Sequence, residues 1–403
     1  MKFRSDLVLA VACAVLSSSL SPRAYAQPLA PTDGYRISVL TMGPGDQFVS
    51  RFGHDALLVE RGGLPSLVYN FGTYTDQAIL PHHVLGGTLL YYLSVDYLAR
   101  TVPVYRAQNR TVTQQVLNLD QPTAERLARA LSLNSEPANT TYHYDFARDN
   151  CTTRVRDALD RALGGALRSE LGGASHYTYR DHALRFSANT PLLALLFDVG
   201  LGKNADQPLD EWDDAFLPDR LAHYLAEARI TDATGSHPLV AREATLFAAA
   251  REAVPARPPP RAPFYGLASA TFGVLLARAA RRPRLRRLLG FAGACVGVFV
   301  GGLGTFVLLL LATHVHPASH ANFNALVCPA WALLLVPAGL AVTFGSAKRL
   351  RALELAAASS LLFATAGTLV AAGYGQDSAR VAVLVVPLLS GVWLAARAAT
   401  RAA

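Results

Sequence analysis

The chain has 403 residues, 51% of them hydrophobic and 16% charged, with a mean hydropathy of +0.24. Soluble domains carry about 25% charged residues, so part of this chain is expected to lie in lipid. The net charge of +8 is unevenly spread: Gln27 to Ala256 holds 20 basic and 26 acidic residues, a net of −6. A nucleic-acid binder needs a basic face on its folded domain, so that class is excluded, along with disordered and collagen-like classes.

In chain order, residues 1–26 read as a secretory signal peptide. Lys2 and Arg4 start it, Leu7 to Leu20 is a short apolar run, and Ala24-Tyr25-Ala26 fits the small-x-small cleavage pattern. A periplasmic domain is then expected over residues 27–253. Its first half is strand-rich, with runs at Tyr35–Met42, Asp55–Glu60, Leu67–Phe71, Val102–Arg106 and Val112–Leu119 separated by turn signals. Helices follow: Pro122–Leu133 capped by Asp120, Cys151 to Leu163 ending at Gly164-Gly165, then Leu192–Leu196 and Pro218–Ala228. The acidic run Asp210 to Asp214 reads as a solvated helix start.

Residues 254–263, VPARPPPRAP, form a Pro-rich linker, expected to be extended and stiff. Residues 264–403 are membrane-like, with about five apolar stretches: Phe264–Ala280, Leu288–Ala312, Ala325–Gly345, Ala352–Gly373 and Val381–Ala396. The loops Arg281–Arg287 and Lys348–Arg351 are basic, whereas Thr313–Asn324 has no Lys or Arg and Tyr374–Arg380 has one. Basic loops stay in the cytoplasm, which places the globular domain and the His-rich loop outside. In a bacterium with two membranes, that is an inner-membrane protein with a periplasmic domain.

Four cysteines occur, and only Cys151 falls in the exported domain. It lies in Asp145-Phe146-Ala147-Arg148-Asp149-Asn150-Cys151-Thr152-Thr153-Arg154-Val155, where Asp149 and Asn150 are good N-cap residues. The thiol is thus expected at a helix N-terminus, where free N–H groups and the dipole lower its pKa. A thiolate nucleophile needs a proton acceptor. His54, after Gly53 and before an apolar strand, is the leading candidate, with Asn70 on the next strand of a hairpin to orient it. His82, His83, His143, His176 and His182 remain alternatives. No Cys pair has zinc spacing, His314, His316 and His320 match a ligand set poorly, and no metal or cofactor is expected.

The stretches RFGHDALLV, LVYNFGTY, YYLSVDYLARTVPVY, NRTVTQQVLNL, YHYDFARDNCTTRVRDAL and EWDDAFLPDRL, spanning Tyr35 to Leu221, resemble the Lnb-type bacterial lipoprotein N-acyltransferases. The resemblance implies Cys151 as nucleophile and His54 as base. It also implies an α+β, permuted papain-like (NlpC- and LRAT-like) domain followed by an all-α multi-span membrane domain. His316-Pro317 and Asn322-Phe323-Asn324 resemble the family's loop between spans, expected to face the lipid headgroup or support the thiol site. The implied reaction takes an acyl group from a membrane lipid donor through a Cys thioester to a lipoprotein's N-terminal amine. The alternatives are a thiol peptidase or amidase acting on cell-wall peptides, and a non-enzymatic membrane scaffold.

Overall fold

A computed structural model describes residues 34–74, 90–232, 235–313, 317–345 and 349–402. The expected signal segment, His82, His83, His314 and His316 lie outside the described residues.

Alternating apolar residues build the first part. The strands are β1 (Tyr35–Met42), β2 (His54–Arg61), β3 (Leu67–Thr73), β4 (Leu90–Tyr97), β5 (Val112–Leu117), β6 (Thr141–His143), β7 (Ala174–Thr178), β8 (Pro208–Asp210), β9 (Arg229–Asp232), β10 (Gly235–Pro238) and β11 (Val240–Phe247). Seven form one sheet in the order β11-β5-β1-β2-β3-β4-β6, every neighbouring pair antiparallel. β7 pairs with β8, and β9 with β10. β1 turns Ile37 and Val39 to one face and Leu40 and Met42 to the other; β2 divides Leu57 and Val59 from Ala56 and Leu58 in the same way.

The longer helices here are α1 (Leu98–Ala107), α2 (Gln121–Asn134), α3 (Cys151–Ala162), α4 (Tyr179–Phe186), α5 (Pro191–Gly200) and α6 (Pro218–Glu227). Leu127 and Leu131 of α2, Val155 and Leu159 of α3, and Leu221 and Leu225 of α6 join the core on the Ile37 face. Each side chain of that size buried contributes about 1.5–3 kcal/mol. α1 covers the opposite face with Leu98, Val102 and Tyr105. This corrects the strand expected at Val102–Arg106. The alternation of Val102 and Val104 imitates a strand, but Leu98, Val102 and Tyr105 also fall on one helical stripe, and packing against Leu40, Leu58 and Val68 selects the helix. The acidic run also differs from expectation. Asp210 caps a helical turn by accepting from Asp213 N, but Asp214 is buried and bonds His182, Arg220 and Tyr224.

The Pro-rich segment lies against this part of the molecule. Tyr177 Oη donates to Ala256 O (2.9 Å), and Arg261 donates to the carbonyls of Ser187 and Ala188. Beyond it, among the described residues, four segments are long and apolar enough to cross a membrane: Pro283–Thr313, Asn324–Thr343, Leu350–Gly373 and Ala379–Arg401. The 19-residue helix Ala262–Ala280 packs along the last of these. Gly273 and Gly391 meet there so closely that a Cβ on Gly391 would lie 2.3 Å from Gly273 Cα.

α5 belongs to the sheet-bearing part in sequence but packs with the membrane helices. Its Leu195 and Val199 join a core with Leu303, Val307 and Val327. Its C-terminal carbonyls are held by the loop between the first two spans. Asn322 Nδ2 donates to Val199 O and Gly200 O (both 2.9 Å), and Asn324 Nδ2 donates to Asp198 O and Val199 O (both 3.0 Å). Gln376, from the next outer loop, donates to Asn322 Oδ1 (3.0 Å), and Arg380 pairs with Asp198 (2.8 Å). Asn322 and Asn324 are therefore not lipid-facing: they are 4% and 0% exposed and satisfy backbone carbonyls that a helix end leaves unpaired. The contacts are made by the two loops that carry little positive charge, the side expected to lie outside.

Asn324→Ala should leave two buried carbonyls with fewer donors and lower stability by about 1–3 kcal/mol. A thermal melt of the detergent-solubilised protein checks this; an unchanged midpoint would contradict the clamp.

Candidate active site

Asn150 fixes the start of α3. Its Oδ1 accepts from the amides of Thr152 (2.8 Å) and Thr153 (2.9 Å), while Nδ2 donates to Phe146 O (2.6 Å) and Phe216 O (3.1 Å). Thr153 Oγ1 accepts from Asn150 N (2.8 Å), completing a reciprocal cap. Cys151 is the first residue of α3, a free thiol that keeps partial exposure. Asp149 is turned elsewhere: its carboxylate holds Arg154 through two hydrogen bonds of 2.6 and 2.8 Å.

His54 opens β2. The residue before it, Gly53, has φ +89° and runs so close to β1 that a Cβ there would lie 2.9 Å from Met42 O. Nε2 of His54 is 2.5 Å from Asn70 Oδ1, on the neighbouring strand β3. An imidazole that donates from Nε2 keeps its lone pair on Nδ1. The Tyr105 ring stacks on the imidazole at 6.3 Å and 18°.

Gly72 shows how near the two candidates are. It has φ +95°, and a Cβ placed on it would lie 3.4 Å from His54 Cε1 and 3.5 Å from Cys151 Cβ. The backbone of β3 thus leaves a space bounded by the imidazole on one side and the Cys151 β-carbon on the other. No hydrogen bond joins Sγ to the imidazole among the described residues; the sulfur's contact is Thr152 Oγ1 at 3.8 Å. Resting sites of this kind often tighten only when substrate is bound. The alternatives are placed differently: His143 and His176 are exposed, and His182 is buried in bonds to Asp214 and Arg185.

The electrostatics correct one expectation. Burial pushes the Cys151 thiol up, and this outweighs the lowering by the Asp55 amide, the Thr152 hydroxyl and amide, and the residue's own amide. The helix terminus does favour the thiolate, but the aromatic core around the sulfur disfavours any charge more strongly. His54 is lowered to about 4, chiefly by burial, against the Asn70 hydrogen bond that raises it. The pair therefore rests as neutral thiol and neutral imidazole at pH 7, and proton transfer has to accompany attack. Asp55, 0% exposed, is raised to about 7 by burial and then by the nearby Cys151, while Thr41 Oγ1 donates to its Oδ1 at 2.8 Å.

Residues 26–184 match the family model of the Lnb N-terminal periplasmic domain. The chain therefore carries a stretch similar to that domain, followed by four helices long and apolar enough to cross a membrane among the described residues. No curated protein and no solved structure matches it. The Lnb match includes His54, Asn70 and Cys151 and ends before α5 and the apolar helices. Sequence reasoning missed Asp55, Gly72, Tyr105 and Tyr142 near this site. Only Gly72 carried a signal, as a glycine inside an aromatic strand, which marks a close approach.

Two outcomes follow. Asp55→Asn removes a negative neighbour that opposes the thiolate while keeping an acceptor for Thr41. The pH profile of Cys151 alkylation, read on the Cys151 peptide by mass spectrometry because Cys295 is also exposed, should move down by about one unit. An unmoved or upward profile would refute that coupling. Gly72→Ala places a methyl in contact with the imidazole and the Cys151 β-carbon at a positive φ; it should cost about 1–3 kcal/mol of stability by thermal melt and slow alkylation of the Cys151 peptide, and an unchanged melt and rate would contradict the close approach.

Proposed function

We propose that this chain is a membrane-bound cysteine acyltransferase that moves a fatty acyl chain, through a Cys151 thioester, to the N-terminal amine of bacterial lipoproteins. The observation that carries the reading is the convergence of His54 and Cys151 over Gly72, in the stretch that matches the Lnb domain and is followed by α5, seated among apolar helices. His54 Nδ1 takes the thiol proton as Sγ attacks the ester carbonyl of a membrane lipid or of the lipoprotein's own glyceryl group. The imidazolium then protonates the departing alkoxide. The lipoprotein amine attacks the thioester next, giving a proton to His54; the C–S bond breaks, and the imidazolium returns that proton to the departing thiolate. No cofactor or metal is needed for this sequence.

The finer fold assignment belongs to the same reading. The His-bearing strand precedes the Cys-bearing helix, the order of a permuted papain-like domain, and an all-α membrane domain follows. Location in the bacterial inner membrane, with the thiol domain in the periplasm, follows from the basic loops and the export signal. A soluble murein hydrolase has no use for a helix such as α5, whose Leu195 and Val199 pack with membrane spans.

Mass spectrometry of lipoprotein N-terminal peptides tests the proposal. Cells producing the protein should carry N-acylated termini; cells lacking it, or producing Cys151→Ala, should carry free amines. The variant should melt at the wild-type temperature. Full N-acylation by a membrane-inserted Cys151→Ala protein would end the proposal.

A further inference from the structure

The cap that positions Cys151 also uses up donors. Asn150 Oδ1 takes the amides of Thr152 and Thr153, the groups that a helix N-terminus would otherwise offer to a developing oxyanion. The sulfur's amide neighbours are those of Cys151 itself, Asp55 and Thr152, the last shared with the cap.

One buried group nearby is conspicuously unused. Tyr142, at the centre of β6 and paired with Tyr91 of β4, is 5% exposed. Its Oη is buried and makes no hydrogen bond among the described residues. A buried phenol normally finds a partner, and an unsatisfied one costs about 1–3 kcal/mol. The hydroxyl lies 3.9 Å from the Cβ position over Gly72, the same point that is 3.4 Å from His54 Cε1 and 3.5 Å from Cys151 Cβ. The ring is held in this direction by the Arg154 guanidinium, 3.7 Å from its centroid, which Asp149 in turn fixes. Burial and the nearby Cys151 keep the phenol protonated, and therefore a donor.

We propose that Tyr142 Oη–H is a hydrogen-bond donor to the oxyanion of the tetrahedral intermediates formed at Cys151. The assignment rests on the acyl-transfer reading of that thiol. When Sγ bonds to the carbonyl carbon, the C=O π pair moves onto oxygen and the thiol proton passes to His54 Nδ1. Tyr142 donates a hydrogen bond to that oxygen without giving up its proton. Collapse restores the C=O and expels the alkoxide, which takes the proton from the imidazolium. The same donor serves the second intermediate, formed when the amine nitrogen attacks the thioester. An otherwise costly unpaired hydroxyl then has its partner only when charge has developed, which is the condition for accelerating the chemical step.

The test compares two reactions of Cys151 in the full-length, detergent-solubilised protein. Acylation by a p-nitrophenyl fatty ester passes through an oxyanion; alkylation by iodoacetamide does not. Tyr142→Phe keeps the ring beneath Arg154 and removes the hydroxyl. It should slow acylation by about 10²–10³-fold. Alkylation of the Cys151 peptide and its pH profile should be unchanged, and the melting temperature equal to or above wild type. Acylation at the wild-type rate would overturn the proposal, as would a parallel fall in alkylation and melting temperature, which would make the tyrosine structural. Failure of wild-type Cys151 to accept an acyl group from the ester would overturn both this proposal and the acyl-transfer reading. Normal ester chemistry with no lipoprotein N-acylation would remove only the lipoprotein acceptor.

Discussion

Four hydrogen bonds to one side-chain amide set the position of the sulfur. Asn150 joins the start of α3 to Phe146 on one side and to Phe216, ahead of α6, on the other. An Ala there would forfeit the cap, worth about 0.5–2 kcal/mol, and would also release two buried carbonyls. The geometry at Gly72 depends on this, because Cys151 reaches β3 only if α3 begins where Asn150 puts it. Aromatic contacts extend the same anchorage outward. Phe146 meets Phe52 at 4.8 Å, and Phe52 meets Phe197 of α5 at 6.3 Å. Cys151 is thereby tied through packed rings to the helix that sits among the apolar spans.

Desolvation governs the chemistry of the pair. A water-exposed Cys–His pair at a helix terminus would drift towards the thiolate–imidazolium form. Here both charged forms are disfavoured, the thiol being raised and the imidazole lowered. A neutral pair reacts slowly with random electrophiles, a useful property for a lone thiol in an oxidising compartment. Any attack by this sulfur therefore has to be accompanied by proton transfer.

Much of the placement was legible in the sequence because it is written in short-range pattern. Alternation marked β1, β2 and β3, the hairpin followed from their spacing, and Asn150 before an amphipathic run marked the start of α3. Asn70 could be placed near His54 because the two fall on one face of neighbouring hairpin strands. Tertiary effects were not legible. The dipole at Cys151 is local, but the burial that outweighs it comes from residues brought in by distant strands. α1 satisfied both a two-residue and a 3.6-residue pattern, and only the apolar face waiting beneath it decided between them. Tyr142 sits in a three-residue strand, too short for any periodicity to show. Asn322 and Asn324 looked like polar loop residues because their partners are main-chain carbonyls, which have no signature in side-chain sequence.

The docking of α5 has a geometric consequence. Its last turn is gripped by two asparagines from one loop and by Arg380 from the final helix, while its apolar face is packed into the bundle. The thiol domain is thus mounted on the spans like an instrument on a fixed stage rather than swinging on a tether. The height of Cys151 relative to the apolar helices is therefore set by these contacts rather than by the length of a linker.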